Sequence, residues 1–329
     1  MQKLTQDNFI IARDFVIVNG TDIDRAWFRY NFEDANEEEF LRVLSTYQHE
    51  NGGFGGLYHE FAYQGACLKS TEIAIEYIFG LKNKPSSDLP IIKNTVKYLM
   101  ETYLPGRGGW GEVVVPEINN SAHCYWSRWR GEDNSPIDNE DERIKNYNAN
   151  EKACFAAFVS YYSELVPAEL CEEILKYPVQ HILRYYDRNS SEYNAALFDK
   201  DSPYPFEYLV AFVPYLKDKE LVKRLSDVLR QNPTAFMELD FARSDTDYVH
   251  LPCDWAVKSP DSILYSTVKE LVDESLDYRI KQQAEDGRWP LGWSFGNDEA
   301  MKELQTKYET YKTLEMLVKL KCFERIECK

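Results

Sequence analysis

The side chains best suited to chemistry fall in runs that lack helical periodicity. His123 sits close after Glu117 and Asn119, and Trp126, Arg128, Trp129 and Arg130 follow it. An imidazole exchanges protons near neutral pH and a nearby carboxylate complements it as acid or base. A guanidinium beside indoles can hold an oxyanion while a ring packs against an apolar or sugar face. A smaller set, His59 and Glu60, precedes this one, and an irregular run downstream carries Asp245, Asp247, His250, Cys253, Asp254 and Trp255, with Trp293 beyond it. We take His123, Glu117 and Asp254 as candidate catalytic groups. His59, Glu60, Asn119, Trp126, Arg128, Trp129, His250, Trp255 and Trp293 are candidate ligand contacts. Asp286 is assigned to its own turn. His123, Cys124, His250 and Cys253 are of ligand type for zinc, but their spacing matches no zinc pattern, so no metal and no cofactor is expected.

Those runs must be positioned by helices. Glu37 to Tyr47, Leu89 to Tyr103, Ala168 to Tyr186, Glu220 to Gln231 and Asp261 to Gln283 are amphipathic and read as outer helices. Ser70 to Leu81, Asn150 to Tyr162, Phe206 to Leu216 and Tyr308 to Leu320 are apolar nearly all round and read as buried inner helices. Connections from outer to inner helices are long: Glu50 to Lys69, Leu104 to Ala149, Asp187 to Pro205 and Pro290 to Lys307. Connections from inner to outer helices are short. Long loops gathered at inner-helix N-termini are where a site is expected. Thr234 to Leu239 reads as a truncated inner helix, the run Asp240 to Ser259 has no assigned end of the bundle, and Met1 to Tyr30 is too mixed to assign, with Phe15 to Val18 as a short apolar edge.

A recurring device ends several outer helices. Gln283-Ala284-Glu285-Asp286-Gly287-Arg288-Trp289 is echoed by Gln48-His49-Glu50-Asn51-Gly52-Gly53-Phe54 and, without the Gln, by Gly108-Gly109-Trp110-Gly111. Glycine lets the chain leave a helix in a left-handed conformation, the aromatic folds back as a plug, and the Gln amide bonds loose carbonyls. Each copy is expected to clamp one helical hairpin to the next.

These devices, each followed by an apolar helix such as Thr71-Glu72-Ile73-Ala74-Ile75 or Glu309-Thr310-Tyr311-Lys312-Thr313-Leu314, resemble the repeats of the terpenoid cyclase and protein prenyltransferase superfamily. The resemblance covers most of Phe40 to Cys322. It implies an all-α fold, an α/α toroid of inner and outer helices with long loops on one rim, forming one domain over 1–329 with repeats over about 37–322. The superfamily's catalytic motifs do not carry over. The nearest text to its D-x-D-D acid motif is Asp138-Asn139-Glu140-Asp141, in an acidic loop; no D-D-x-x-D diphosphate motif and no Asp-x-Cys zinc motif occurs.

Composition narrows the partners. The 329 residues are 44% apolar, which suits a globular chain, and carry a net charge of −17, which repels nucleic acid and anionic membranes overall. No run is long and apolar enough to span a bilayer, and the Met1 to Asp7 start lacks a signal-peptide pattern. Seven cysteines without a C-x-x-C pair fit reduced thiols, so a cytoplasmic protein is expected. The partner expected is a small molecule, isoprenoid or sugar; no protein partner is indicated. Three function classes stay open: an isoprenoid enzyme with a central aromatic cavity, placed first by the resemblance; a carbohydrate-active hydrolase or lyase; and a non-catalytic binding toroid. Cavity chemistry discriminates among them.

Overall fold

A computed structural model describes residues 1–327; Cys328 lies outside the described residues. The chain is all-α, 55% helix and 3% strand. Its helices are α1 (Gln6–Asn19), α2 (Asp22–Phe32), α3 (Glu37–Ser45), α4 (Leu68–Gly80), α5 (Pro90–Thr102), α6 (Glu140–Lys145), α7 (Lys152–Tyr161), α8 (Ala168–His181), α9 (Tyr204–Phe212), α10 (Lys219–Leu229), α11 (Tyr265–Lys281) and α12 (Glu299–Cys322). Two short strands, Tyr103–Leu104 and Gly109–Trp110, pair antiparallel.

Helices read as inner are buried on all sides: α4 from Leu68 to Ile75, and α7 from Ala153 to Ser160. Amphipathic α10 instead buries Leu225, Val228 and Leu229 and leaves its charges in water. Neighbours follow one another around the fold. Helix α4 packs on α7 and α7 on α9, while α12 packs on both α1 and α2, and α2 on α3. Trp27 of α2, Phe40 of α3 and Tyr77 of α4 meet with ring centroids 4.9 to 5.5 Å apart. The two ends of the described chain meet as well, Leu4 N donating to Arg325 O at 2.7 Å. One apolar cluster runs from Leu4 to Leu320.

Two of the devices share a geometry. Gln48 Nε2 donates to Gly52 O and to Ile91 O of α5, each at 3.0 Å; Gln283 Nε2 donates to Gly287 O at 3.1 Å and to Asn8 O of α1 at 3.0 Å. Phe54 N and Trp289 N donate to the hydroxyls of Thr71 and Thr313, on the inner helices α4 and α12, both at 3.0 Å. Gly52 and Gly287 have φ of +90° and +91°, and a Cβ on either would run into backbone of α5 or α1. Gly108, φ +68°, abuts Tyr177 of α8 in the same way. The Gln48 device thus ties the end of α3 to α5 and α4, and the Gln283 device ties the end of α11 to α1 and α12.

Several expectations are corrected. Met1 to Tyr30 forms α1 and most of α2, started by Thr5 and by a Thr21 and Asp24 capping box, so Phe15 to Val18 is helical rather than an extended edge. Thr234 to Leu239 is a turn running into irregular chain rather than a helix. The loop expected over Pro290 to Lys307 stops at Asp298, which caps α12. Asp138 to Asp141 leads into the short helix α6, where Asp141 pairs with Arg184 at 2.7 Å.

Candidate active site

The inner helices open on one cavity of about 340 Å³. Lys69 and Ile73 enter it from the first two turns of α4, Lys152 from the start of α7, Tyr204 and Tyr208 from α9, and Tyr308 and Tyr311 from α12. The first long loop adds Tyr58 and Glu60, the second adds Trp126, Ser127, Arg128 and Arg130, and the irregular run adds Tyr248 and Trp255. Segments far apart in the chain thus share one space.

Charge, rather than hydrocarbon, dominates part of that wall. Lys69 Nζ lies 2.7 Å from Glu72 Oε2 and 2.9 Å from Glu151 Oε1, and 4.9 Å from the centre of the Tyr58 ring. Glu72 is fully buried and accepts the Tyr208 hydroxyl proton. Burial pushes the Glu72 carboxyl up to about 7, against the pull of Lys69. A second network stands on Trp255. Lys258 and Lys312 lie 4.6 and 5.1 Å from its ring centroid; Lys258 pairs with Glu76 at 3.2 Å and Lys312 with Glu315 at 2.6 Å. Burial alone would raise Glu315, but Lys312 and Lys258 overcome it and hold the carboxyl at about 2.

Glu60, also buried, has one oxygen fixed. Its Oε2 accepts from Trp126 Nε1 at 2.8 Å and from the Ser127 hydroxyl, and the Tyr58 phenol stands beside the same carboxyl.

The third feature is a directional chain of polar groups. His250 Nδ1 donates to both Glu207 oxygens at 2.8 and 2.9 Å, so Nε2 is left to accept the Tyr248 hydroxyl proton at 3.1 Å. Tyr248 in turn is hydrogen-bonded to Tyr204. Glu207 and His250 are buried, whereas both tyrosines line the cavity. Burial raises the Glu207 carboxyl, and the His250 imidazole opposes that rise. Burial likewise raises the Tyr204 and Tyr248 phenols.

Of the residues singled out in the sequence, Glu60, Trp126, Arg128 and Trp255 line the cavity. His250 stands behind it through Tyr248. Trp293 packs edge-on against Tyr248, centroids 4.6 Å apart. His59 is buried with Nε2 3.5 Å from Asp24 Oδ1 and its ring edge-on to Tyr311. Elsewhere, His123 Nδ1 donates to Ser121 O at 2.7 Å and its backbone bridges Phe61, outside the lining. Glu117 and Asn119 are exposed, and Asn119 bonds the Trp129 backbone twice at 3.0 Å, stapling the loop. Asp254 needs correction as a catalytic group. Although burial would raise its carboxyl, Arg279 at 2.6 Å and Lys319 at 3.5 Å hold it well below the usual carboxylate range, so it is committed to an ion pair. Sequence reasoning missed Lys69, Glu72, Glu151, Glu207 and the lining tyrosines. Lys69, Glu72 and Glu207 could have been found as charges inside otherwise apolar helices.

No three His, Cys, Asp or Glu side chains among the described residues converge as a metal-holding group. No helix is long and apolar enough to cross a membrane. No family model matches this chain, and no curated protein or solved structure does either.

Proposed function

We propose that the chain is a single-domain α/α toroid related to the terpenoid cyclase and prenyltransferase superfamily, adapted to bind and cleave a polyhydroxylated, sugar-like substrate as a hydrolase or lyase. The packing of α4 on α7 and α7 on α9, of α12 on α1 and α2, and the two matching Gln-Gly-aromatic devices support the toroid. The six free cysteines of the described residues support a reducing, cytoplasmic setting.

The observation that carries the functional reading is the chain from Glu207 through His250 to Tyr248 and Tyr204, which ends on the cavity. A buried carboxylate fixes the imidazole tautomer and stabilises its charged form, so the imidazole can take a proton from Tyr248 as Tyr248 takes one from a ligand. Glu60 supplies a fixed carboxylate in the same space. Together they provide two groups able to exchange protons with a glycosidic substrate. Tyrosine and indole faces with polar edges suit sugar rings.

An isoprenoid, ranked first on resemblance alone, is less well served. Its hydrocarbon tail would meet Glu60, Lys69, Arg128, Glu151 and Lys152 in the cavity wall, and desolvating such groups without replacing their hydrogen bonds is costly. Cavity chemistry therefore reverses the order set by the resemblance.

The test is incubation with a panel of polysaccharides, followed by reducing-end release and by the ultraviolet absorbance of unsaturated uronates, which separates hydrolysis from elimination. Cleavage lost in Tyr248→Phe and Glu60→Gln is the expected result. Absence of cleavage together with turnover of a prenyl diphosphate would return the isoprenoid reading to first place.

A further inference from the structure

The cavity's carboxylates and cations are not equally occupied. Glu60 is held by Trp126 and Ser127, and Glu151 by Lys69. Glu112 receives three backbone N–H groups, from Arg130 at 2.7 Å, Gly131 at 3.0 Å and Glu132 at 3.1 Å. Only the Glu132 carboxylate lacks a partner among the described residues. On the positive side, Lys69 is spent on Glu72 and Glu151, but Arg128, Arg130 and Lys152 form no ion pair and no side-chain hydrogen bond among the described residues. Arg128 lies flat against Tyr125, its guanidinium 4.5 Å from the ring centroid, which steadies it without using its donors. Two arginines without an acidic partner, and Lys152 with the Glu132 and Glu151 carboxylates near it, thus line one cavity in a chain whose net charge is −17.

We infer that the ligand is an acidic saccharide whose oxyanion is received by Arg128, Arg130 and Lys152 while its rings pack on Trp126 and Trp255. This rests on the saccharide reading above and narrows it. The acidic remainder of the surface repels such a ligand, so the local cations select where it lands. The charge-assisted donors of a guanidinium match a planar carboxylate and also a sulfate or phosphate. Glu112, occupying the backbone donors of its loop, leaves the side chains rather than the main chain to meet the anion.

The experiment is retention of the purified chain on an array of neutral, uronate-bearing, sulfated and phosphorylated oligosaccharides, repeated with Arg128→Gln/Arg130→Gln and with Lys152→Gln. Both arginines are exposed, so the double variant should fold. Lys97→Gln, on the exposed face of α5, serves as the control. Retention of one acidic class over its neutral counterpart, weakened roughly tenfold or more in the cavity variants and unchanged in the control, is expected. The class retained identifies the oxyanion. Equal retention of acidic and neutral glycans, or cavity variants that bind like the parent, would overturn the inference while leaving the saccharide reading in place. Retention of no glycan at all would overturn both.

Discussion

His250 Nδ1 and Glu207 Oε1 stand 2.8 Å apart with both side chains buried, although 43 positions separate them in sequence. The carboxylate can only accept, so it keeps the proton on Nδ1 and the lone pair on Nε2, where Tyr248 donates. In Glu207→Gln the amide can donate to Nδ1, shifting the proton to Nε2 and removing the acceptor from Tyr248. Turnover should fall about a hundredfold or more, the usual scale of general acid–base catalysis. Tyr248→Phe should cost a similar factor, and the double variant little beyond either single one, because the pair acts as a unit. Steady-state rates on the cleaved glycan would check this; additive losses would mean the two groups act separately.

Glu72 should impose a pH dependence of opposite sign to that of most carboxylates. Its folded value of about 7 lies above its ordinary 4.5, so between those values the unfolded chain releases a proton that the folded chain keeps. Stability therefore declines as pH rises through that window, by at most about 3 kcal/mol. Glu72→Gln cannot titrate and should flatten the decline. Asp254 and Glu315, held low by their lysine and arginine partners, act the other way: their stabilisation is present above their ordinary values and is lost as pH falls toward about 2. Urea unfolding across the pH range would separate the two limbs.

Much of this arrangement was legible because local physics fixes it. Gly52, Gly287 and their Gln and aromatic partners form helix-ending geometry that sequence spacing reports directly. Reading the long connections as a shared site brought Glu60, Trp126 and Arg128 together, whereas Trp255 joins them from a run that the loop lengths left unassigned. Long-range pairing is not written in spacing. Nothing near His250 points to Glu207, and nothing near Asp254 points to Arg279, which takes it out of chemistry. His123 is favoured in sequence because an imidazole exchanges protons near neutral pH and rings beside it could exclude water, yet its Nδ1 donates to the Ser121 carbonyl. At the N-terminus, α1 escaped because Phe15 to Val18 is β-branched and apolar, a pattern that tertiary packing on α12 overrides.

Two glycine substitutions should contrast with a third. Gly52→Ala places a Cβ 2.1 Å from Asn94 O at φ +90°, and Gly287→Ala places one 2.5 Å from Ile11 C at φ +91°. Each combines a disfavoured backbone with a clash against a neighbouring helix, and should cost about 2 kcal/mol or more. At Gly109 the nearest atom to a Cβ is Lys152 Cδ at 3.8 Å and φ is not positive, so Gly109→Ala should stay within about 1 kcal/mol of the parent. Thermal melts of the three variants would rank them; a neutral Gly52→Ala would mean that the device does not press on α5.

Trp289 offers the sharpest test of the clamp. Its side chain is 5% exposed, its indole Nε1 donates to Arg279 O at 2.6 Å, and its backbone N donates to Thr313 Oγ1 at 3.0 Å. The ring thus closes α11 onto α12 while satisfying a carbonyl at the end of α11. Trp289→Ala empties that space and removes one of the two donors to the Arg279 carbonyl, at a cost of about 3 to 5 kcal/mol. Trp289→Phe keeps most of the ring volume and loses the N–H donor, so it should cost about 1 to 2 kcal/mol. Urea unfolding with an unchanged slope would give both values. If Trp289→Ala left the midpoint where it is, the indole would not be the plug that joins the two helices, and the device would be a surface turn.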